Sequence, residues 1–115
     1  MLKKYEIVKK NSDFNDIINK GAYLKNKYYS IYYKNSSLTY PRFGLAVSKK
    51  CGNAVVRNKI KRQLRMIVDN HKELFNNNME YIILVRKGIV DISFKQMEDS
   101  LVELITRKES LNEKN

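Results

Sequence analysis

From Val56 to Val68 apolar residues recur at helical spacing. Successive residues turn by about 100°. On that wheel Val56, Ile60, Leu64, Ile67 and Val68 share one face. Arg57, Asn58, Lys61, Arg62 and Arg65 fall on an adjoining face, with Lys59 further round. The pattern predicts one amphipathic helix, from about Asn53 to Asn70, entered through Lys49-Lys50-Cys51-Gly52. No acid interrupts its basic face. A solvated helix usually mixes charge signs, because i,i+4 pairs of opposite sign contribute about 0.2–0.5 kcal/mol each. Here Arg57, Lys61 and Arg65 repel one another along a ridge. A polyanion lying on that ridge relieves the repulsion.

The charge of the whole chain points the same way. Of 115 residues, 23 are Lys or Arg and 12 are Asp or Glu, a formal charge of +11. Between Asp16 and Asp69 there is no acid and there are twelve basic residues. The rest of the chain carries eleven basic and twelve acidic residues, so the excess belongs to one segment. A concentrated cationic field predicts an anionic partner, nucleic acid first and an acidic membrane second. The length suits one domain with a modest core.

Cys51 is the single cysteine, so no internal disulfide is possible. That fits a reducing compartment. Its place at the helix entrance allows a lowered thiol pKa, but a small filler side chain is the preferred reading. His71 is the only histidine. Without a Cys/His cluster, no zinc site is expected. No apolar run follows the N-terminus, so neither a signal peptide nor a membrane span is expected. A cytoplasmic protein is the default.

Residues 3–10 read as a short basic arm. Asn11 or Ser12 is a candidate cap for a first helix carrying Phe14, Ile17 and Ile18, with Gly21 as its left-handed terminator. Residues 23–34, rich in tyrosine and isoleucine, read as a strand. Alternation puts Tyr28, Ser30 and Tyr32 on one face and Tyr29, Ile31 and Tyr33 on the other. Residues 42–48 read as a second strand. Phe43, Leu45 and Val47 alternate there with Gly44 and Ala46, which leave room for another element. Tyr81-Ile82-Ile83-Leu84-Val85 reads as a strand buried on both faces. Ser93 and Gln96 form a capping box for a last helix with Phe94, Met97, Leu101, Leu104 and Ile105 on one stripe. A polar tail is expected from about Glu109. The order predicts one α+β domain, an α/β sandwich. Chain rules alone make its β-α-β crossover right-handed.

A self-contained enzyme is disfavoured. The acid-free middle offers no carboxylate pair, His71 has no evident partner, and no Gly-Lys-Ser/Thr phosphate loop is present. A binding module fits better. The helix N-terminus after Gly52 suits phosphate. Arginine forks along the helix extend that site. Tyr28 and Tyr32, with Phe14 near them, are candidates to stack exposed bases. Core packing is the competing role, favoured for Tyr29 and Tyr33. A membrane-surface or calmodulin-type helix is a further alternative. The aromatic strands, which build a sheet for the helix to cover, count against it.

Lys49-Lys50-Cys51-Gly52-Asn53-Ala54-Val55-Val56-Arg57-Asn58-Lys59-Ile60-Lys61-Arg62, with Arg65 behind, resembles the signature of the bacterial ribonuclease P protein subunit. Lys9-Lys10-Asn11 with Asp13-Phe14 resembles the family's first helix. Phe43-Gly44-Leu45 with Val47-Ser48 resembles the strand entering the motif. Ile82-Ile83 with Arg86-Lys87 resembles the later strand. The resemblance implies a ribosomal-protein-like α/β sandwich in the order α-β-β(-β)-α-β-α, with a left-handed crossover, and the expectation of hand follows the family. It implies a catalytic RNA partner that holds the magnesium and removes the 5′ leader of precursor tRNA. The protein assists, with no catalytic or metal-binding residue of its own and no membrane partner, and is expected to be monomeric alone. By position, Lys49, Lys50, Asn53, Arg57, Asn58, Lys59, Lys61, Arg62 and Arg65 match the RNA-facing motif. Phe14, Ser30 and Tyr32 match the leader cleft, to which alternation adds Tyr28. Ile18 stands where the family often has an aromatic, Tyr29 where it often has Phe, Ala46 for a common Ser and Gly88 for a common Pro. A ribosomal or general RNA-binding protein is the alternative.

Overall fold

The computed structural model describes residues 6–8 and 10–113. Its elements run α1 (Asn11–Lys20), β1 (Ala22–Lys25), β2 (Tyr29–Asn35), β3 (Arg42–Val47), α2 (Ala54–Asn70), β4 (Met79–Val85) and α3 (Phe94–Glu113). The strands form one mixed sheet in the order β1-β2-β4-β3. β2 is antiparallel to β1 and to β4, while β3 is parallel to β4. A parallel neighbour needs a long crossover, and α2 lies within it. Ile7 bridges to Phe43, and the Val8 N–H donates to the Phe43 carbonyl at 2.8 Å, covering part of the outer edge of β3. Of the expected basic arm, residues 3–5 and 9 lie outside the described residues.

Alternation along the strands separates two faces. Tyr29, Ile31, Phe43, Tyr81, Ile83 and Val85 point to one and are completely buried. They share a core with Ile60, Leu64, Ile67 and Val68 of α2 and with Met97, Leu101, Leu104 and Ile105 of α3. Phe75 meets Phe43 and Tyr81 edge-on, with centroids 5.0 Å away in each case. The Tyr29 hydroxyl donates to the Met97 carbonyl at 3.0 Å, and burial pushes its pKa up.

The other face is covered by α1 at one end only. Val8, Ile17 and Ile82 form a second, small core there, with Phe14 and Tyr32 against it. Gly44 makes this docking possible. A Cβ at that position would lie 2.5 Å from Ile82 Cδ1 and 2.7 Å from Phe14 Cζ. Gly44 thus leaves room for a helix, as its place in the pattern implied, while Ala46 lies beyond α1 on the open part of this face. Ion pairs reinforce the contact. Arg42 reaches Glu80 at 3.0 Å and Asp13 at 3.8 Å. Asp16 holds both Lys34 and, at 2.8 Å, Lys20. Hydrogen bonds from Lys20 and then Lys34 lower the Asp16 pKa to about 2, against a smaller opposing effect of burial.

Four local expectations are corrected. Residues 23–34 form a hairpin, β1 and β2, where one strand was expected. The Asn26 carboxamide oxygen accepts from the N–H groups of Tyr28 and Tyr29, both at 2.9 Å, and turns the chain. Gly21 ends α1 at φ −84°, outside the left-handed region. Its missing side chain matters for space, since a Cβ would collide with the carbonyl oxygens of Tyr33 and Ile17. Lys10 occupies the N-cap of α1 without a side-chain cap, in place of Asn11 or Ser12. Finally, α3 runs on through Glu113, past the point where a polar tail was expected. The Ser93–Gln96 capping box is present, with bonds of 3.2 and 2.9 Å.

Gly44→Val is expected to displace α1 and to destabilise the domain by about 1–3 kcal/mol, read by chemical denaturation. Asp16 has a depressed pKa, so its stabilising effect is complete above its ordinary value of 3.8 and is lost as the pH falls towards about 2. The stability difference between wild type and Asp16→Asn should therefore be constant at neutral pH and should shrink across that acidic window in urea titrations.

Candidate nucleic-acid interface

The path from β3 into α2 is built from small polar devices. The Ser48 N–H donates to the Val85 carbonyl at 3.2 Å, and the Ser48 hydroxyl accepts from the Lys50 N–H at 3.2 Å. Residues Lys49–Cys51 make one tight 3₁₀ turn. Gly52 follows at φ 142° and ψ −164°, a conformation open to glycine alone. Asn53 then caps α2, its side-chain oxygen accepting from the Val56 N–H at 3.0 Å. Lys49 and Lys50 are left exposed at the helix entrance.

Ile60, Leu64, Ile67 and Val68 are buried as the periodicity predicts, whereas Val56 keeps 37% of its surface in water. It lies in the first turn of α2, beside Gly52, before the helix meets the core. Arg57 and Lys61 are half-buried, while Asn58, Lys59, Arg62 and Arg65 are exposed. Among the described residues, no carboxylate forms an ion pair with Lys49, Lys50, Arg57, Lys59, Lys61, Arg62 or Arg65. A groove of about 550 Å³ runs along this face, lined by Asn58, Lys61, Arg62, Arg65, Met66 and Asp69. Asp69, at its far end, is 3.6 Å from Lys72.

Cys51 and His71 take structural places. Cys51 is buried and its thiol donates to the Arg86 carbonyl at 3.6 Å. Burial pushes its pKa up, against the smaller opposing effect of the Arg57 charge, so the thiol is the filler and not a reactive group. His71 pairs with Glu98 at 3.1 Å and ties the end of α2 to α3, although its sequence neighbourhood shows no partner.

A second surface lies on the sheet face that α1 leaves open. Lys25, Ser30, Leu84 and Ala46 are aligned in one row across β1, β2, β4 and β3. The next row, towards α1, holds Tyr23, Tyr32, Ile82 and Gly44. Phe14 and Tyr32 are both half-buried and share the small core. Phe14, Ser30 and Tyr32 thus meet on one face. Tyr28 stands apart. It belongs to the turn ahead of β2 and packs against the principal core, with Gly88 beside its ring. Alternation counted from within the turn does not place it. Sequence reasoning missed Tyr23, Ala46 and Leu84 as parts of this face. Only the hairpin register reveals the first, and only the pairing of β4 with β2 and β3 reveals the others.

Among the described residues, no helix is long and apolar enough to cross a membrane. The family model for ribonuclease P matches residues 2–109. The chain belongs to the ribonuclease P protein family. The ribonuclease P protein component of Mycoplasma mycoides is 43% identical over 105 residues, covering 90% of this chain and 96% of that one. The ribonuclease P protein of Staphylococcus aureus superposes with a TM-score of 0.83 at 35% identity, covering 90% of this chain and 94% of that one. That of Thermotoga maritima gives 0.81 at 27% identity, covering 89% and 96%. Membership in the ribonuclease P protein family implies a subunit of an endoribonuclease holoenzyme, a role in tRNA processing, and partnership with the ribonuclease P RNA and a tRNA substrate.

Gly52→Ala should strain the turn that sets Lys49 and Lys50 against α2. A loss of about 1–3 kcal/mol in denaturant unfolding is expected.

Proposed function

We propose that this chain binds the catalytic RNA of ribonuclease P through the cationic ridge of α2 and the single-stranded 5′ leader of precursor tRNA through the face beside α1. In this reading the RNA carries out the magnesium-dependent cleavage, and the chain is a cytoplasmic monomer until it assembles. The observation that carries the proposal is the set of cations at Lys49, Lys50 and along α2. Among the described residues they have no acidic ion-pair partner, and internal repulsion along a helix costs stability unless phosphate relieves it. Arg57, Arg62 and Arg65 offer planar forks for phosphate oxygens, and Lys61 adds a point charge.

The physical task is to bring two polyanions together. A catalytic RNA and a precursor tRNA repel, and a cationic protein touching both lowers that barrier and releases condensed counterions. On the second surface Phe14 and Tyr32 present rings to leader bases, while Ser30 offers a hydroxyl. Among the described residues, no three His, Cys, Asp or Glu side chains gather as a metal site. The reading assigns magnesium to the RNA, whose phosphates are hard oxygen ligands for it.

Adding the chain to a bacterial ribonuclease P RNA at low magnesium should stimulate cleavage of precursor tRNA; no stimulation would sink the proposal. Replacing Arg57, Lys61 and Arg65 by Ala should flatten the salt dependence of RNA binding, by about 0.7 in log–log slope per lost single-strand contact. An unchanged slope would show that α2 does not touch RNA. Cosedimentation with ribosomal subunits in place of the ribozyme would favour a general RNA-binding role.

A further inference from the structure

Tyr23 is the only strongly exposed aromatic side chain among the described residues, with 56% of its surface in water. It lies on β1 directly opposite Tyr32 on β2. The two ring centroids are 5.6 Å apart, and the planes are tilted by 32°. Tyr32 is held in place by the small core around Ile17 and Ile82. Tyr23 has no such enclosure and continues the aromatic surface outward to the sheet edge. We infer that Tyr23 and Tyr32 form a two-ring platform on which adjacent bases of the single-stranded leader stack, so that the cleft reaches across β1. The inference rests on the assignment of that cleft to the leader.

Three observations support it. A base sandwiched between two rings needs them about 7 Å apart, so the rings here are too close to admit one. Bases must lie over the outer surfaces, side by side, as neighbouring nucleotides do. Lys25 sits two residues along β1 on the same face, exposed, and residues 22–28 contain no acid that would repel a phosphate. Ile18, one turn beyond Phe14 on α1, is 39% exposed and offers no ring, so the aromatic surface of the face extends through β1 instead. Stacking on a tyrosine tolerates any base, because every base has a π-face. The platform therefore adds affinity that depends on the length of the leader and little on its sequence.

The test uses the holoenzyme reconstituted with a bacterial ribonuclease P RNA. Its probes are precursor tRNA with a long leader, the same tRNA with the leader trimmed, and mature tRNA. Tyr23→Ala should weaken binding of the long-leader substrate by about tenfold, and Tyr23→Phe, which keeps the ring, should bind like wild type. One abasic nucleotide in the leader should cost the wild type a similar factor and cost Tyr23→Ala nothing more. Circular dichroism of both variants checks the fold. If only Tyr32→Ala weakens long-leader binding, the cleft stands and Tyr23 is a hairpin residue alone, which overturns the inference. If neither alanine variant discriminates by leader, the leader assignment falls as well. Equal weakening of mature tRNA by Tyr23→Ala, or loss with Tyr23→Phe as great as with Ala, also overturns it.

Discussion

The double-sided burial of β4 is the constraint on which the rest depends. Tyr81, Ile83 and Val85 point into the principal core, and Ile82 points into the small core under α1. A one-residue slip of this strand would exchange the two sets, so its register is strongly specified. Because β4 lies between β2 and β3, its register fixes both neighbours. It thereby sets the row of Lys34, Glu80 and Arg42 that receives the acids of α1, and the open row of Lys25, Ser30, Leu84 and Ala46 beyond it. The parallel pairing of β4 with β3 also requires a long crossover on one face, and α2 occupies it. One apolar run therefore positions both candidate surfaces.

Where a residue's role follows from local periodicity, the sequence displayed it. The face of α2 that carries Ile60, Leu64, Ile67 and Val68, the Ser93–Gln96 capping box and the burial of β4 are all written at spacings of one to eight residues. What depends on a partner far along the chain was hidden. The turn at Asn26 is stabilised from α3, where Ser100 accepts from its side-chain amide, and from Arg86, whose guanidinium donates to its carbonyl. Nothing between residues 23 and 34 announces those partners, so an aromatic-rich stretch looked like a single strand. Gly21 illustrates the same limit. Its position at the end of a helix suggested a backbone conformation, whereas the cause is crowding against Tyr33 from another strand. For the site, the ridge on α2 was legible because it lies on one helix. The face beside α1 was legible only in part, because it draws on α1 and all four strands.

The charges repeat this division between local and distant information. Twelve cations lie between Asp16 and Asp69, and among the described residues three of them form ion pairs. Lys20 and Lys34 pair with Asp16, and Arg42 pairs with Glu80 and Asp13. Lys34–Asp16 and Arg42–Asp13 join α1 to the sheet, Lys20–Asp16 lies within α1 and Arg42–Glu80 joins β3 to β4, and the acids that make them come from outside the acid-free segment. The other nine are Lys25, Lys27, Lys49, Lys50, Arg57, Lys59, Lys61, Arg62 and Arg65. They lie on β1 and its turn, on the turn before α2 and on α2 itself. Charge count alone overstates the unpaired set, because it cannot separate cations that hold the protein together from cations left for a partner.

That separation explains how a strongly basic domain stays folded before it meets RNA. Like charges one helical turn apart are about 5–6 Å from one another, inside a Debye length of about 8 Å, and each pair costs only about 0.2–0.5 kcal/mol, which the core outweighs. Several acids hold a defined contact: under α1, at Lys72 beside Glu6 and Asp69, and at the His71–Glu98 junction of α2 with α3, while Asp99 and Glu103 pair within α3. The ridge on α2 needs no such reinforcement, since its opposite face is locked into the principal core. The helix can therefore carry like charges side by side, with the core holding it in place and its outer surface available to phosphate.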